Sequence, residues 1–503
     1  MELTRRTAIG SALTAAAVSA QQGQKRPNIL FICSDQHAGA YVGANGHPIV
    51  RTPNLDRLAA RGTNFRQTYC GSPVCAPGRA AMMTGQFASD VGSFCNSTPF
   101  DGRALTWGNR LTKAGYRCWA TGKMDLWQGK DFGFREEKTS HGHSTDPDIT
   151  SLFRMPVCFR AGERANANGS FADRVAPDKD KADRALRFLR EESKRGSEPW
   201  CMYVGFTKPH PKFHAHSKYQ EMYPPEKMPL PQWPANYLES RHAAFQMLAN
   251  FKNIQNPVPR ERVQKARAAY FGLITELDGL IGELMDELDR SGQAENTLVI
   301  YTSDHGEMLG EHGLWLKNVL LEGAARVPLI MAGPGVGKGK TVDTPVSHAD
   351  MVATMLQAGG AERSRELRGH SLLDGSHPGY AYAESHSEGN ATGSFLIRKE
   401  NWKYIYFTGD EPLLFDLKND PGEFRNLAKD KQHEGVRKEL HGLLTTLVNP
   451  DAVTAAGFAR QREVRDRLVR EKSRQEFHEE LVGRLGPIQA RLLTEECFRG
   501  KAI

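Results

Sequence analysis

The sequence predicts an α/β fold, in which a mostly parallel sheet is sandwiched by helices and followed by a smaller C-terminal subdomain with an antiparallel sheet. Up to about residue 375, short continuous apolar runs rich in β-branched residues alternate with amphipathic segments, as in sheets covered on both faces. Beyond that point the apolar runs follow one another closely, with tight turns between them, which is typical of antiparallel strands. We therefore expect one large domain at 24–375, which carries the functional site, and a C-terminal subdomain at 376–503.

Buried parallel strands are predicted for five apolar runs of the large domain. Right-handed crossovers between such strands bring their carboxyl ends to one edge of the sheet, so functional side chains are expected directly after them. In chain order the five runs are 28–33, 116–120, 200–206, 298–302 and 327–331.

Helices are predicted between these strands from capping residues and from apolar residues spaced three to four apart. One helix begins after Thr52-Pro53 and stops at Gly62, a second begins at Pro177, and a third spans about 261–290. In the C-terminal part, strands are predicted at 380–383, 395–398, 402–407 and 413–416. The charged segment 459–476 is expected to be a solvated helix.

Composition excludes several classes of protein. Among 503 residues, 66 Lys and Arg exceed 59 Asp and Glu by seven, and acidic residues are interleaved with basic ones, so nucleic-acid binding is not expected. No stretch approaches the ~20 apolar residues of a membrane span. The eight cysteines contain no CxxC pair that would indicate a structural zinc site. The small basic surplus suits an anionic ligand.

Residues 1–20 are interpreted as an export signal. Arg5-Arg6 precede an Ala-rich apolar stretch, and Val18-Ser19-Ala20 resembles a cleavage site, as in twin-arginine signals. We therefore expect the protein to be exported, either to the periplasm or out of the cell. The alternative interpretation is a flexible cytosolic tail.

Two strand ends carry the same pattern of candidate metal ligands. Asp35-Gln36 follows the first predicted strand, and Asp304-His305 follows the fourth. If both ends lie at one sheet edge, two carboxylates, an amide oxygen and an imidazole form a mostly oxygen ligand set suited to Ca²⁺, Mg²⁺ or Mn²⁺. Alternatively, each Asp only caps the turn that follows its strand.

Cys75 lies just before a predicted helix that Pro77 opens and Gly85 ends. The N–H groups of a helix N-terminus favour anions, and Arg79, one turn further on, can donate two hydrogen bonds to an oxyanion. This pattern indicates an activated nucleophile beside an anion-binding site. A buried structural cysteine is the alternative.

Further cationic side chains follow other predicted strands. Lys123 and His210 come after the second and third strands, and Lys317 comes shortly after Asp304. Together with Arg79, on one sheet edge and facing a metal ion, these groups would form a site for a tetrahedral dianion. Taken singly, each would be an ordinary solvated side chain.

These motifs, in this order, resemble those of the type I sulfatases of the alkaline-phosphatase-like superfamily. The segment from Cys75 through Arg79 to Gly85 resembles the signature C-x-P-x-R…TG. The likeness extends from about residue 26 to about 430, and it is nearer to choline-sulfatases and iduronate-sulfatases than to arylsulfatases. The other matching segments are 27–36, 52–58, 122–123, 208–210 and 304–317.

The resemblance implies a mechanism and a role for each residue. A maturation enzyme would oxidise Cys75 to formylglycine, whose hydrate would attack the sulfur of a sulfated small molecule or glycan. Arg79 would orient the hydrate, and either His210 or Lys317 would protonate the leaving alcohol. The implied ligands of one divalent ion, usually Ca²⁺, are the formylglycine oxygen, Asp35, Gln36, Asp304 and His305. The implied contacts of the sulfate are Lys123, His210 and Lys317.

The sequence departs from the family pattern at three positions. Gln36 replaces the commoner second Asp, a variant that also occurs among phosphonate monoester hydrolases. Gly78 replaces the usual Ser of the signature, which bears on recognition by a maturation system. Asp125 replaces the His expected two residues after Lys123, and we interpret Asp125 as a position that shapes the substrate site.

The resulting hypothesis is an exported sulfatase that hydrolyses an organic sulfate ester, with a carbohydrate sulfate favoured by analogy. The first alternative is a phosphonate monoester or phosphodiester hydrolase that uses the same site. The second, from a different class, is a non-catalytic protein that binds sulfated glycans.

Overall fold

The computed structural model describes residues 26–154, 158–160, 162–173 and 178–499. The predicted export signal at 1–20 lies outside these ranges. The strands, in chain order, are β1 (Asn28–Asp35), β2 (Thr63–Phe65), β3 (Thr68–Tyr69), β4 (Arg117–Lys123), β5 (Arg135–Ser140), β6 (Gly169–Ala172), β7 (Trp200–Pro209), β8 (Phe213–His216), β9 (Thr297–Ser303), β10 (Arg326–Val327), β11 (Leu329–Ala332), β12 (Lys340–Val342), β13 (Val346–Ser347), β14 (Tyr380–Ser385), β15 (Ser394–Lys399), β16 (Trp402–Phe407) and β17 (Leu413–Asp416).

The helices lie between these strands and at the C-terminal end. In chain order the α-helices are α1 (Pro53–Arg61), α2 (Cys75–Thr84), α3 (Trp107–Lys113), α4 (Gly142–Thr145), α5 (Lys179–Arg190), α6 (Tyr237–Ser240), α7 (Ala243–Phe251), α8 (Arg260–Arg290), α9 (Glu322–Ala325), α10 (His348–Ala358), α11 (Glu434–Leu447), α12 (Pro450–Glu471), α13 (Arg474–Leu485) and α14 (Pro487–Cys497). None of these helices is long and apolar enough to cross a membrane.

The large sheet has the strand order β12-β2-β11-β9-β1-β7-β4-β5. Its centre is parallel, because β1 pairs in parallel with both β7 and β9, and β4 pairs in parallel with β7 and β5. This confirms the predicted mostly parallel sheet. The carboxyl ends of β1, β4, β7 and β9 therefore lie at one edge.

The run 327–331 is not the parallel strand that the sequence predicts. Pro328 divides it into β10 and β11, and β11 pairs antiparallel with β9 and with β2. A parallel return needs a long crossover, but the only α-helix between β9 and β11 is the four-residue α9. The chain therefore turns back beside β9 instead of crossing over the sheet.

β1 shows why the sheet is covered on both faces. Successive side chains of a strand point to opposite faces, so Ile29, Phe31 and Cys33 pack with α2, α3 and α10, whereas Leu30 and Ile32 pack with α1, α5 and α8. All five side chains are fully buried. A strand that is apolar at every position can be stable only in such a three-layer arrangement.

Helix boundaries agree with the capping signals where the structure describes them. α1 ends before Gly62, and α8 covers the predicted third helix. α5 begins just after Pro177, which lies outside the described residues. The predicted solvated helix at 459–476 is instead the end of α12 and the start of α13, because Ser473 caps a new helix, and Val464 and Leu468 are buried.

The C-terminal strands form a separate antiparallel sheet in the order β14-β15-β16-β17, which confirms the predicted smaller sheet. α11 packs on one face of it, through Leu440 and Leu444. On the other face, Leu396 and Ile405 belong to a core shared with α8. The small sheet is thus packed against the large domain.

Candidate active site

The site begins where β1 and β9 end. The two strands are paired up to Ser34 and Ser303, so Asp35 and Asp304 leave neighbouring strands side by side. The backbone N–H of Gln36 donates to Asp304 Oδ1 at 3.1 Å, which ties the two strand ends together. The candidate metal ligands that the sequence predicts at this sheet edge are therefore adjacent.

Four of these side chains form one buried cluster. A ligand atom from each of Asp35, Cys75, Asp304 and His305 lies within 4.8 Å of the other three. His305 Nε2 is 3.7 Å from Asp35 Oδ1, 3.7 Å from Asp304 Oδ1 and 3.3 Å from Cys75 Sγ. Adjacent ligands of an octahedral ion at 2.3–2.6 Å lie about 3.3 to 3.7 Å apart. The cluster therefore has the spacing required to hold one divalent ion.

Two further details fit a metal site. His305 Nδ1 lies 2.9 Å from the carbonyl of Gly306, and donation to that carbonyl leaves Nε2 unprotonated, as a metal ligand requires. The Gln36 side chain is fully buried, and its Oε1 has no hydrogen-bond partner among the described residues. A buried amide oxygen without a partner is costly, so it suits a ligand that a metal ion satisfies.

Cys75 is the first residue of α2, rather than the residue before the helix as the sequence suggests. Its Sγ lies 2.8 Å from Lys317 Nζ and 3.5 Å from Lys123 Nζ. Burial alone would raise the pKa of this thiol, but Lys123, Lys317 and His305 outweigh burial and hold the pKa well below its usual value. Position 75 is therefore built to stabilise negative charge.

Arg79, one turn further along α2, is completely buried. Its Nε donates to Asp304 Oδ2 at 2.9 Å, and its Nη1 donates to the carbonyl of Lys123 at 2.8 Å and to the hydroxyl of Tyr203 at 2.9 Å. Its Nη2 is 3.8 Å from Asp35 Oδ2 and has no hydrogen-bond partner in the described part of the chain. Arg79 therefore balances the charge of both aspartates while keeping one N–H group available.

The other predicted cations meet at the same place. Lys123 forms ion pairs with Asp35 and, at 3.1 Å, with Asp125. Lys317 Nζ lies 3.3 Å from His210 Nε2. The structure thus brings together the three groups that the sequence assigns to the sulfate, around the Sγ of Cys75.

Asp125 lies deep in this site, and His143 beside it was not identified from the sequence. His143 Nε2 is 3.5 Å from Asp125 Oδ2, and a ring nitrogen of His143 lies within 4.8 Å of both Cys75 Sγ and an Asp125 oxygen. Burial would raise the pKa of Asp125, but Lys123 and His143 lower it. The carboxylate is thus paired on two sides. His143 comes from the short helix α4, just after the carboxyl end of β5, and the polar sequence of β5 gives no sign of a strand at that place.

Steric contacts explain why residue 78 is a glycine. A Cβ at this position would lie 2.7 Å from the carbonyl oxygen of Ser72 and 2.9 Å from that of Asp304. Both neighbours are backbone atoms at the centre of the site, and they cannot move without displacing the metal-ligand segment. In this chain, the Ser of the signature does not fit without a shift of that segment.

Comparison with known proteins agrees with this geometry. A family model described as Sulfatase matches residues 27–361, and the model of the N-sulphoglucosamine sulphohydrolase C-terminal region matches residues 310–449. The chain is 33% identical over 434 residues to a choline-sulfatase of Rhizobium meliloti, covering 80% of this chain and 83% of that protein. It is 29% identical over 458 residues to arylsulfatase K of Danio rerio, covering 85% of each.

A solved structure resembles the fold as a whole. The phosphonate monoester hydrolase of Agrobacterium radiobacter superposes with a TM-score of 0.70 at 27% identity, covering 84% of this chain and 95% of that chain. With the family model matching more than half of the residues, the chain belongs to the type I sulfatases of the alkaline-phosphatase-like superfamily and is a sulfuric ester hydrolase.

Proposed function

We propose that this sulfatase hydrolyses the sulfate ester of a carbohydrate to an alcohol and sulfate, and that formylglycine derived from Cys75 and one Ca²⁺ ion take part. The observation that carries the proposal is the position of Cys75 Sγ, 2.8 Å from Lys317 Nζ and 3.3 Å from His305 Nε2. The nucleophile position thus lies between a cation for the sulfate and a ligand for the metal.

The residues of the chain supply binding and proton transfer around this position. When present, the hydrate of formylglycine supplies an oxygen nucleophile and the divalent ion offsets the charge of the sulfate group. Lys123 and Lys317 bind sulfate oxygens, and Arg79 holds Asp304 in place while directing its free Nη2 into the site. His210 donates a proton to the leaving alcohol, with Lys317 beside it as the alternative donor.

Asp125 favours a hydroxylated substrate over a quaternary ammonium substrate. Its carboxylate is already paired with Lys123 and His143, so it offers no free negative charge to a cation such as choline. It can still accept a hydrogen bond from a hydroxyl group through its other oxygen, because both ion pairs are made by Oδ2. The match to a model named for a sulfated amino sugar supports the same substrate class.

Mass spectrometry and kinetics test the proposal together. Protein from its native host should carry an aldehyde in place of the Cys75 thiol, introduced by a maturation enzyme. It should release sulfate from sulfated sugars, and Cys75→Ala should abolish that release while leaving the circular dichroism spectrum unchanged. Substantial sulfate release by Cys75→Ala would contradict the mechanism.

A second candidate function, phosphonate monoester hydrolysis, is favoured by Gln36 and by the similar solved structure. An amide in place of a carboxylate makes the metal shell less negative, and the same replacement occurs among phosphonate monoester hydrolases. The ratio of kcat/KM for matched aryl sulfate and aryl phosphonate esters decides between the two. A higher value for the phosphonate would overturn the sulfatase assignment of the substrate.

We also propose that residues 1–20 direct export. The support is the Arg5-Arg6 pair followed by an Ala-rich stretch. Fractionation of the native host should recover the protein outside the cytoplasm, and replacing Arg5 and Arg6 by lysine should retain it inside. Recovery of unaltered protein in the cytoplasm alone would contradict this proposal.

A further inference from the structure

Glu307 is a fully buried carboxylate that none of the predicted roles includes. One oxygen, Oε2, accepts a hydrogen bond from the side-chain amide of Gln36. The other, Oε1, accepts from the backbone N–H groups of Leu309 and Leu316, each at 2.7 Å. Three donors from three places in the chain therefore converge on one side chain.

All three residues that Glu307 holds have an unusual backbone. The φ angles are 72° at Gln36, 48° at Leu309 and 65° at Leu316, in the left-handed region that non-glycine residues rarely adopt. A residue in this conformation persists only where its surroundings hold it. The carboxylate of Glu307 supplies a bond to each of them.

The two carboxylate oxygens of Glu307 contact two different parts of the site, the metal ligands and the segment that carries Lys317. Gln36 is a candidate metal ligand, and fixing its Nε2 leaves the buried, unpartnered Oε1 for the ion. Leu316 directly precedes Lys317, whose Nζ is 2.8 Å from Cys75 Sγ. The Lys317 segment is also held from behind, since Lys252 Nζ donates to the carbonyl of Lys317 at 2.6 Å.

We propose that Glu307 is a positioning residue that couples the metal ligand Gln36 to the segment carrying the sulfate-binding Lys317. This inference rests on the metal site proposed above. Orientation of the Gln36 amide fixes one metal ligand, and the same carboxylate fixes the backbone from which Lys317 extends. Ordering of the metal shell therefore also orders the sulfate site.

The chemistry explains why residue 307 is Glu and residue 36 is Gln. A carboxylate can accept from three N–H donors, whereas a Gln at 307 would turn its own NH₂ group towards at least one of them. An Asp or Glu at 36 would place a second carboxylate against Glu307, with no proton between them. Gln36 and Glu307 thus form a matched pair.

The test compares Glu307→Gln with Glu311→Gln in the full chain. Glu311 lies in the same loop and pairs with Arg267, but it makes no contact with Gln36 in the described structure. Loss of a side chain that orients a metal ligand typically weakens metal binding by about 10- to 100-fold. We expect that loss of Ca²⁺ affinity for Glu307→Gln in isothermal titration of metal-stripped protein, and a near-wild-type affinity for Glu311→Gln.

A double-mutant cycle tests whether Glu307 affects metal binding through Gln36. If Glu307 acts on the metal through Gln36, Gln36→Ala and the double variant Gln36→Ala/Glu307→Gln should bind Ca²⁺ with equal affinity. At saturating Ca²⁺, Glu307→Gln should still have a lowered kcat, because this variant loosens the Lys317 segment. The kcat of Gln36→Ala should be lowered less. Additive losses of affinity, or unchanged affinity of Glu307→Gln, would overturn the proposal.

Hydrogen–deuterium exchange of the wild-type protein tests the same coupling and does not depend on whether a variant folds. Ca²⁺ should slow hydrogen–deuterium exchange of the Leu309 and Leu316 amides, although neither residue is a metal ligand. The strands β16 and β17 of the small sheet serve as the reference and should not change. Ca²⁺ binding without added protection at Leu309 and Leu316 would overturn the coupling. Failure of the wild-type protein to bind Ca²⁺ would instead overturn the proposed metal site.

Discussion

Lys317 Nζ lies 2.8 Å from Cys75 Sγ, although 242 residues separate the two in the chain. Cys75 is placed by the start of α2, and Lys317 is placed by the loop after β9. A hydrogen bond from the N–H of Asn318 to the carbonyl of Pro73, 3.0 Å long, joins the two segments directly. This backbone contact directly joins the segment of the nucleophile position to the segment of its cation.

Replacing Lys317 should damage turnover far more than folding. We expect Lys317→Met to lower kcat/KM by about 10²- to 10³-fold, because one preorganised contact to the reacting group is lost. Lys317→Arg, which keeps the positive charge but not the length and shape of the side chain, should have an intermediate kcat/KM. Sulfate release by fully matured protein measures both. Lys438→Met, at an exposed ion pair on α11, is the matched control and should behave as wild type. Equal activities for the two Met variants would contradict the assigned role.

The pair formed by Asp125 and His143 should act as a unit. Asp125 neutralises Lys123 and orients His143 next to Cys75, so Asp125→Ala and His143→Ala should each lower kcat/KM by at least about tenfold. Because each variant removes the same contact, the double variant should lose little more than either single one. Losses that multiply in the double variant would show that the two residues work independently.

The sequence predicts the strand-end residues well for a physical reason. Parallel strands end at one edge, so Asp35, Asp304 and Lys123 can be placed together without knowing any loop. His143 could not be placed, because it follows β5, a parallel strand whose polar sequence does not identify it as a strand. Glu307 was also missed, since its importance comes from a hydrogen bond with Gln36, which is 271 residues away in the chain.

The direction of β11 was predicted wrongly because strand composition does not encode direction. The run 327–331 is apolar enough for a central parallel strand, but direction is decided by the connection before it. That connection, the loop from Asp304 to Ala325, is used to carry His305 and Lys317 into the site rather than to cross the sheet. A functional loop thus takes the place of a crossover helix.

Removing the metal should destabilise the fold as well as stop turnover. Asp35, Asp304 and His305 lie within one buried cluster, and a bound ion at 100 times its dissociation constant stabilises the folded state by about 2.7 kcal/mol. A chelator should therefore lower Tm, and added Ca²⁺ should restore it. Asp304→Asn is the control, in which Ca²⁺ should shift Tm much less. An identical shift in that variant would place the ion elsewhere.

Acid should destabilise the protein through buried histidines, of which His312 is the clearest. Burial lowers its pKa to about 3, and Lys403 adds to the effect, whereas in the unfolded chain the pKa is about 6.5. Below pH 6.5 the unfolded chain therefore binds a proton that the folded chain does not, so the free energy of unfolding falls as the pH falls.

His312→Gln isolates this contribution. Between pH 7.5 and 5.5, His312 should cost the wild-type protein about 1.4 kcal/mol of unfolding free energy. The variant has no group to titrate at this position, so its free energy of unfolding should decrease over this pH range by that amount less than the wild-type value does. This difference does not depend on how stable the variant is at pH 7.5. Urea unfolding at the two pH values, both with excess Ca²⁺, measures the difference. His348, whose pKa burial also lowers to about 3, titrates equally in both proteins and cancels. Parallel pH profiles for the two proteins would mean that the pKa of His312 is the same in the folded and unfolded states, in spite of its burial against Tyr237 and Phe424.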